Sequence, residues 1–372
     1  MNALSAKILS PIDIKGGAMR NRLAVAPMTR ISATPSGVPT PAMRDYYTRF
    51  AKGGFGLVIT EGLYTDTAFS QGYPCQPGLA DDDQAREWAS ITQEIHGHNA
   101  LAFAQLMHAG ALSQSKGFRT DNVAPSAIRP IGEQMAFYYG EGRYAEPREI
   151  TQAEISEAIQ GFVDTAIRAV RVAGFDGIEI HGANGYLLDQ FLSAETNHRV
   201  DRWGGDVHGR VSLLVEVVKA VKAAVGDEVP VGIRISQGKV NDFTSKWPGG
   251  EADAKAIFGA LARAGADFIH VTEFEAWQPA FEGGQDSLAA LARRYAPDVA
   301  LIANGGLHDV ARAAQVLDDG ADIVALGRGA LANPDMPKLI AMQEQPRPFD
   351  PAILGPIANI KDSELAFEGV QP

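Results

Sequence analysis

The chain has 372 residues, 45% of them hydrophobic, which is enough to bury a substantial core. Its formal net charge of −12 argues against nucleic acid or an anionic membrane surface as a partner. No long apolar run and no signal-peptide pattern occurs, so we expect a cytoplasmic protein that does not enter a membrane. The single cysteine, Cys75, excludes an intrachain disulfide and a cysteine-ligated iron–sulfur cluster.

Short apolar runs and helical patterns alternate along the chain after a hairpin predicted over residues 8–22. We predict strands at residues 23–26, 57–60, 101–106, 177–180, 231–235, 268–272, 300–303 and 323–326. Helices are predicted at about residues 42–52, 81–96, 151–173, 211–225, 251–264, 287–295, 310–317 and 337–343.

Eight short strands that are each followed by a helical segment predict an α/β fold, a (β/α)8 barrel formed by residues 1–372 as a single domain. A doubly wound sheet also alternates in this way, but no G-x-G-x-x-G follows the first strand. Residues 109–150, after the third strand, are too many for a connecting loop and are rich in Gly, Ser and aromatic residues. We expect them to form a lid over the barrel mouth. The N-terminal hairpin is expected to close one end of the barrel.

The fourth strand leads into three polar side chains within six residues: His181, Asn184 and Tyr186. Active sites of such barrels lie at the carboxyl ends of the strands. An imidazole, a carboxamide and a phenol are together able to hold a carbonyl oxygen and supply a proton. We therefore predict that these three residues are catalytic.

The loops after strands seven and eight are rich in glycine, with Asn304, Gly305 and Gly306 in one and Gly327 and Arg328 in the other. Barrels of this type often bind phosphate at these loops, where glycines let backbone N–H groups approach an oxyanion. Tight turns alone would also explain the glycines. Because both loops are glycine-rich and one carries an arginine, phosphate is the favoured interpretation.

Other polar residues are predicted at the same mouth, and they suit a flat flavin ring. Gln105 is a good amide partner for its pyrimidine edge, and Arg234 would stabilise the anionic reduced ring. The remaining strand-end residues that we assign to the cofactor are Pro27, Met28, Thr29 and Gly62.

The run HGANGYLLDQFLSAETNHR, followed by WGG and an arginine, closely resembles the Old Yellow Enzyme family of FMN-dependent ene reductases. The resemblance extends from about residue 8 to about residue 340, and Thr29 favours the classical branch. It implies non-covalent FMN, with His181 among its contacts beside Thr29, Gly62, Gln105 and Arg234. Residues 344–372 diverge from the family, so no site residue is assigned there.

The resemblance implies that NAD(P)H reduces FMN and that the flavin then reduces the C=C bond of an α,β-unsaturated carbonyl or nitro compound, in a ping-pong sequence. His181 and Asn184 would bind the carbonyl oxygen, and Tyr186 would protonate the α-carbon. Phenolic ligands are expected as inhibitors. The choice between NADPH and NADH, and between monomer and homodimer, stays open.

Two rival readings compete with this one. Lys239, after the fifth strand, would suit a Schiff-base aldolase with the same phosphate loops, but that leaves the His/Asn/Tyr set and Arg234 unused. The other rival is a flavin-binding barrel without turnover. The His96-Gly97-His98 sequence falls at a helix end away from the site, and we expect no metal there.

Overall fold

The computed structural model describes residues 3–114, 118 and 121–366. Its strands are β1 (Ile12–Ile14), β2 (Gly17–Met19), β3 (Leu23–Val25), β4 (Leu57–Ile59), β5 (Leu63–Tyr64), β6 (Leu101–Met107), β7 (Val123–Ala124), β8 (Arg148–Glu149), β9 (Gly177–Asn184), β10 (Val231–Lys239), β11 (Phe268–Thr272), β12 (Ala300–Asn304) and β13 (Ile323–Leu326).

The helices surround these strands. They are α1 (Ala3–Ile8), α2 (Pro41–Gly53), α3 (Asp82–Gly97), α4 (Gln152–Arg171), α5 (Leu187–Leu192), α6 (Val207–Arg210), α7 (Ser212–Val225), α8 (Glu251–Arg263), α9 (Leu288–Tyr295), α10 (Val310–Asp318), α11 (Arg328–Ala332), α12 (Met336–Met342) and α13 (Asp362–Leu365). None in the described part of the chain combines the length and apolar character needed to cross a membrane.

Eight parallel strands close into a barrel in the order β4-β3-β13-β12-β11-β10-β9-β6. The ring is closed because β6 also pairs with β4, with Leu57 opposite Leu101. Helices cover the outside between successive strands, so the predicted (β/α)8 barrel is confirmed.

The inside of the barrel is filled with side chains at its amino-terminal end. Phe103 and Phe268 lie there with their ring centroids 5.5 Å apart. Ile14 and Met19 of the β1–β2 hairpin belong to the same buried cluster. The hairpin therefore plugs this end, and the opposite end is left for a site.

Local sequence signals begin several helices. Thr151 and Glu154 form a capping box before α4, in which Thr151 N donates to Glu154 Oε2 at 2.9 Å and Glu154 N donates to Thr151 Oγ1 at 3.3 Å. Asp81 caps α3 by accepting from Gln84 N at 2.8 Å. Pro41 occupies the first turn of α2, where its missing N–H costs nothing.

The structure corrects some of the predicted boundaries. The fourth barrel strand ends at Asn184 and the fifth at Lys239, four residues beyond each prediction, because the polar residues there still pair with the neighbouring strand. Helix α1 replaces the start of the predicted hairpin, which is limited to β1 and β2. The short elements β5 and α5 are unpredicted, since neither is long enough to show a periodic pattern.

Residues 109–150 contain two short 3-10 turns and the strands β7 and β8, which pair with each other in parallel. Residues 115–117, 119 and 120 of this segment lie outside the described residues. Leu112 and Tyr144 join a buried cluster with Tyr73, Met107 and Tyr186. The segment is thus packed onto the mouth end of the barrel.

The chain ends in a segment that returns to the barrel mouth. It includes a 3-10 turn, Pro351–Leu354, and helix α13. Ala358 and Ile360 are buried. Of the predicted tail, residues 367–372 lie outside the described part of the chain.

Candidate active site

A cavity of about 660 Å³ opens at the carboxyl ends of the barrel strands. Its walls include most of the residues predicted from the sequence to form the site. They are Pro27, Met28, Thr29, Gln105, His181, Asn184, Tyr186, Arg234, Asn304, Gly305, Gly306, Gly327 and Arg328.

Gly62 is the exception, since it is not among the residues that line this cavity. A Cβ at Gly62 would lie 2.5 Å from Met107 Sδ, and its carbonyl accepts a hydrogen bond of 2.6 Å from Gln76 Nε2. The described contacts of Gly62 thus explain the glycine by close packing against Met107.

Strand register places several polar residues side by side on neighbouring strands. Arg234 lies opposite His181 on one side and His270 on the other. In the same sheet, Gln105 lies opposite Glu179. Of these residues, Gln105, His181 and Arg234 line the cavity, whereas Glu179 and His270 are buried beside them.

His181 presents a neutral, unsatisfied imidazole to the cavity. It is only 3% exposed, and its Nδ1 has no hydrogen-bond partner within the described part of the chain. Burial, together with the nearby charges of Arg234 and His270, lowers the pKa of His181 well below its usual value. A neutral imidazole in this position retains one donor and one acceptor for a ligand.

Asn184 reaches the same cavity through a change of backbone direction. Residues 181 and 184 would face opposite sides of a regular strand. Asn184 has a φ of 62°, and its N–H donates to Ser236 Oγ at 2.8 Å. Asparagine is among the residues that tolerate the left-handed region best, which accounts for its use at this bend.

Tyr186 stands immediately before helix α5, with its ring centroid 4.9 Å from that of His181. Its hydroxyl shares a hydrogen bond of 2.5 Å with the hydroxyl of Tyr73. Burial raises the pKa of Tyr186 to about 12, although the bond with Tyr73 opposes the rise. The phenol is therefore protonated at neutral pH.

Arg234 is held by neighbouring strand ends. Its Nη2 donates to Asn304 Oδ1 at 2.8 Å and to Thr272 Oγ1 at 3.1 Å. Burial lowers its pKa, and its Nε has no partner among the described residues. Asn304 Nδ2 donates to Ala325 O at 2.9 Å, so the Asn304 side chain supports Arg234.

A buried carboxylate fixes the orientation of Gln105. Gln105 Nε2 donates to Glu179 Oε1 at 2.8 Å, and His270 Nδ1 lies 2.7 Å from Glu179 Oε2. Since an ionised carboxylate only accepts hydrogen bonds, the NH2 group of Gln105 must face Glu179. Its carbonyl oxygen is then left for another donor.

The loop after β12 requires glycine for steric reasons. Gly305 has a φ of 137°, and a Cβ there would lie 2.0 Å from Glu273 O. Gly306 has a φ of 65° and faces the ring of Trp277. Arg328 is the first residue of helix α11, and its guanidinium lies 5.4 Å from the ring centroid of Phe274.

Several residues of the cavity wall are not among the site residues predicted from the sequence. Met135, Phe137 and Tyr138 come from residues 109–150, and Leu354 comes from the C-terminal segment. Tyr138 OH also donates to Thr29 O at 3.4 Å. The aromatic content of residues 109–150 was the available signal for the first group, whereas no pattern distinguished Leu354.

Lys239 and His96 are engaged in other contacts. Lys239 Nζ donates to Ser245 Oγ at 2.8 Å and to Gln237 O at 3.4 Å, so it is not poised as a Schiff-base nucleophile. His96 Nε2 lies 2.8 Å from Asp176 Oδ2, at the end of α3 and directly before the start of β9, which is the end of the barrel opposite the cavity.

The residues present fit a flavin mononucleotide. Buried, unpartnered nitrogens of His181 and Arg234 border the cavity, beside an oriented Gln105 and loops that keep backbone N–H groups accessible. A cation and an amide suit the pyrimidine edge of the ring, and the loops with Arg328 suit its phosphate. Fold and site together define a barrel oxidoreductase of the flavin-dependent class.

Comparison with known proteins gives the family. Residues 7–346 match the NADH:flavin oxidoreductase / NADH oxidase family. The chain belongs to this family, which includes the Old Yellow Enzyme homologues, and the resemblance seen in the sequence is confirmed. It is an enzyme that uses FMN as cofactor and NAD(P)H as reductant.

Individual relatives agree along most of the chain. A probable flavin mononucleotide-dependent alkene reductase of Leishmania infantum is 33% identical over 90% of this chain and 91% of its own length. The putative 12-oxophytodienoate reductase 6 of Oryza sativa subsp. japonica is 34% identical over 89% of this chain and 83% of its own length. An NADH oxidase of Thermoanaerobacter brockii is 34% identical over 86% of this chain, which spans only 48% of that protein.

Solved structures agree as well. The Old Yellow Enzyme homologue of Zymomonas mobilis superposes with a TM-score of 0.87 at 29% identity, covering 98% of this chain and 100% of that one. Morphinone reductase in complex with tetrahydroNAD gives a TM-score of 0.85 at 29% identity, covering 98% of each chain.

Proposed function

We propose that this enzyme reduces the C=C bond of α,β-unsaturated carbonyl or nitro compounds with NAD(P)H. The observation that carries the proposal is the convergence of His181, Asn184 and Tyr186 on the cavity bordered by Gln105 and Arg234. Bound FMN would supply the hydride chemistry, accepting a hydride from NAD(P)H and delivering one to the alkene. Relatives named for alkene and 12-oxophytodienoate reduction support the same reaction.

His181 and Asn184 would hold the oxygen of the substrate. A neutral imidazole N–H and a carboxamide N–H are donors without a net charge, and they favour the enolate-like oxygen that develops as the β-carbon accepts hydride. The lowered pKa of His181 keeps it in the neutral form. Such donors recognise any oxygen acceptor of suitable geometry, which accommodates enones, enals and nitroalkenes.

Tyr186 would deliver the proton to the α-carbon. Its raised pKa keeps it protonated until charge develops on the substrate, and its ring lies beside that of His181. Pro27, Met28, Thr29, Gln105 and Arg234 would contact the flavin ring, and Gly305, Gly306, Gly327 and Arg328 the phosphate. Residues 109–150 would act as a lid, because Phe137 and Tyr138 line the cavity from above the strand ends.

The two half-reactions test this assignment when measured separately. In anaerobic stopped-flow experiments, we expect NADPH to bleach the flavin of wild-type enzyme and 2-cyclohexenone to restore its colour. Tyr186→Phe should slow the second step by about 10²-fold or more and leave the first nearly unchanged. An equal loss in both steps would remove Tyr186 from the role of proton donor.

The flavin itself has a direct test. The purified chain should be yellow and should retain FMN after gel filtration. A colourless protein that does not take up added FMN would overturn the proposal as a whole.

A further inference from the structure

The C-terminal segment, residues 350–366, closes one side of the cavity. Leu354, at the end of the 3-10 turn, is a lining residue of the cavity. Ile357 packs against the buried cluster that contains Tyr73 and Tyr186. This segment is thus placed beside the proposed proton donor, and it lies beyond the residues that match the family, which end at 346.

A buried arginine holds this segment in place. Arg30 has an exposed fraction of 0%, and its Nε and Nη2 donate to the carbonyls of Ala358 and Asn359, each at 3.0 Å. Its Nη1 donates to Glu364 Oε2 at 2.7 Å, and its Nη2 donates to Glu364 Oε1. A bidentate arginine–carboxylate pair with no access to water fixes geometry as well as charge.

Further contacts make the attachment double. Arg49 donates to Glu364 O at 2.7 Å and to Glu364 Oε2 at 3.0 Å. Ile360 N donates to Ser32 Oγ at 2.8 Å. Glu364 therefore contacts the loop after β3, through Arg30, and helix α2, through Arg49. Its carboxylate accepts hydrogen bonds from both arginines.

The same segment is joined to the lid and to the loop after β3. Ala358 N donates to Phe137 O at 2.8 Å, and Phe137 is itself a wall of the cavity. Arg30 directly follows Thr29, which also lines the cavity. The Arg30–Glu364 pair thus connects the C-terminal segment to the loop after β3, and the Ala358–Phe137 hydrogen bond connects it to the lid.

We propose that the Arg30–Glu364 pair is a latch that holds residues 350–366 as the outer wall of the substrate pocket, and that Leu354 limits the size of the substrate there. Leu354 is then a specificity-determining residue, and Glu364 is a positioning residue that acts through Arg30. The Leu354 part rests on the proposed function, because it takes the cavity to hold an alkene above the flavin.

The latch is tested by hydrogen exchange, measured by mass spectrometry on the FMN-bound enzyme. Glu364→Gln keeps the shape of the side chain but removes its charge, and we expect faster exchange in residues 350–366 and in the peptide containing Phe137. Asp362→Asn, an exposed charge change on the same helix, is the matched control and should leave both peptides unchanged. Exchange that is equal in Glu364→Gln and wild type would overturn the latch.

The wall is tested with substrates that differ in size. We expect Leu354→Ala to raise kcat/KM for carvone relative to 2-cyclohexenone by about tenfold, through a lower KM, and Leu354→Phe to lower the same ratio. Ile353→Ala is the control, because Ile353 packs against the same hydrophobic core as Leu354 but does not line the cavity. An unchanged ratio in both Leu354 variants would overturn the assignment.

The two measurements separate this inference from the proposed function. Exchange requires no turnover, so a failure of alkene reduction leaves the latch test intact. Conversely, if wild-type enzyme reduces 2-cyclohexenone but Glu364→Gln exchanges as wild type does, the latch alone is refuted.

Discussion

Tyr73 is hydrogen-bonded to Tyr186, the proposed proton donor. Its hydroxyl lies 2.5 Å from that of Tyr186, and both rings belong to a buried cluster. Burial raises the pKa of Tyr73 well above its usual value, so it stays protonated. When Tyr186 gives up its proton, the Tyr73 hydroxyl is positioned to donate to the resulting phenolate.

Tyr73→Phe should therefore slow alkene reduction by about tenfold, since a hydrogen bond to a charged group contributes roughly 1.5–3 kcal/mol. Reduction of the flavin by NADPH should not change. Tyr144→Phe is a matched control, because Tyr144 lies in the same cluster and its hydroxyl lies 3.5 Å from Gln114 Oε1. If both variants lose the same activity, the cluster acts through packing only.

Glu179 is a buried carboxylate in contact with Gln105, one of the proposed flavin contacts. It accepts from Gln105 and His270, and its charge opposes the burial-induced fall in the pKa of Arg234. Glu179→Gln should keep the hydrogen bond from Gln105 but remove a negative charge. The potential of bound FMN should then rise, because the anionic reduced ring would experience less repulsion.

A stabilisation of ~1.4 kcal/mol would appear as about 30 mV for this two-electron couple. Equilibration with a reference dye under anaerobic conditions measures it. An unchanged or lower potential would show that Glu179 serves packing and orientation alone.

Single residues also show what the sequence was able to predict. His181, Asn184 and Tyr186 stand within six residues, so proximity in the chain placed them together before any fold was known. Glu179 and His270 did not stand out, because their meeting depends on strand register across the barrel. Gly62 was assigned to the cofactor, whereas its described contacts are with Met107 and Gln76.

At the level of elements, the loops after β12 and β13 bring the glycines to the cavity. Gly305→Ala should weaken FMN binding by at least about tenfold. Its φ of 137° is strained for any residue with a side chain, and the new Cβ would collide with Glu273 O. Backbone strain of this kind costs roughly 1–3 kcal/mol, and the loop must shift to relieve the contact.

Fluorescence titration of the apoprotein with FMN measures the change in Kd. Gly97→Ala, at the end of α3 and with no heavy atom near the new Cβ, should bind FMN as wild type does. Wild-type affinity in Gly305→Ala would mean that this loop does not contact the phosphate.

Elements were predictable where repetition dominates. Parallel barrel strands are short, apolar and regularly spaced, and their carboxyl ends all face one mouth. The lid and the C-terminal segment have no such period. Their positions depend on individual tertiary contacts, such as the hydrogen bond from Ala358 N to Phe137 O. No local sequence pattern predicts such a contact.

For the whole molecule, buried carboxyl groups link stability to pH. Glu61 is 1% exposed, and it joins the end of β4 to the loop after β3 by accepting from Arg30 N at 2.8 Å and Ile31 N at 3.1 Å. Burial raises its pKa to about 7. Asp189, which accepts from Gly185 N at 2.6 Å, has a pKa raised by burial to about 6.

Glu364 behaves in the opposite sense. Although burial pushes its pKa upward, the hydrogen bonds and charge of Arg30 hold the net pKa below the usual value. Its contribution to stability is complete above the unfolded pKa and is lost as the pH falls through the lowered folded pKa. Acid therefore weakens the latch, whereas the stability that Glu61 contributes falls as the pH rises, because the buried carboxyl group becomes charged.

A carboxyl group whose pKa is raised by folding contributes stability that is complete below its unfolded pKa and is lost as pH rises through its folded pKa. For Glu61 this window runs from about pH 4.5 to about pH 7, and the loss is on the order of 3 kcal/mol. Glu61→Gln cannot ionise, so its free energy of unfolding should gain on that of wild type as the pH rises across the window. Urea unfolding at pH 5, 6 and 7, with free FMN held constant, measures the difference. Parallel pH curves for the two proteins would mean that Glu61 titrates alike in the folded and unfolded states.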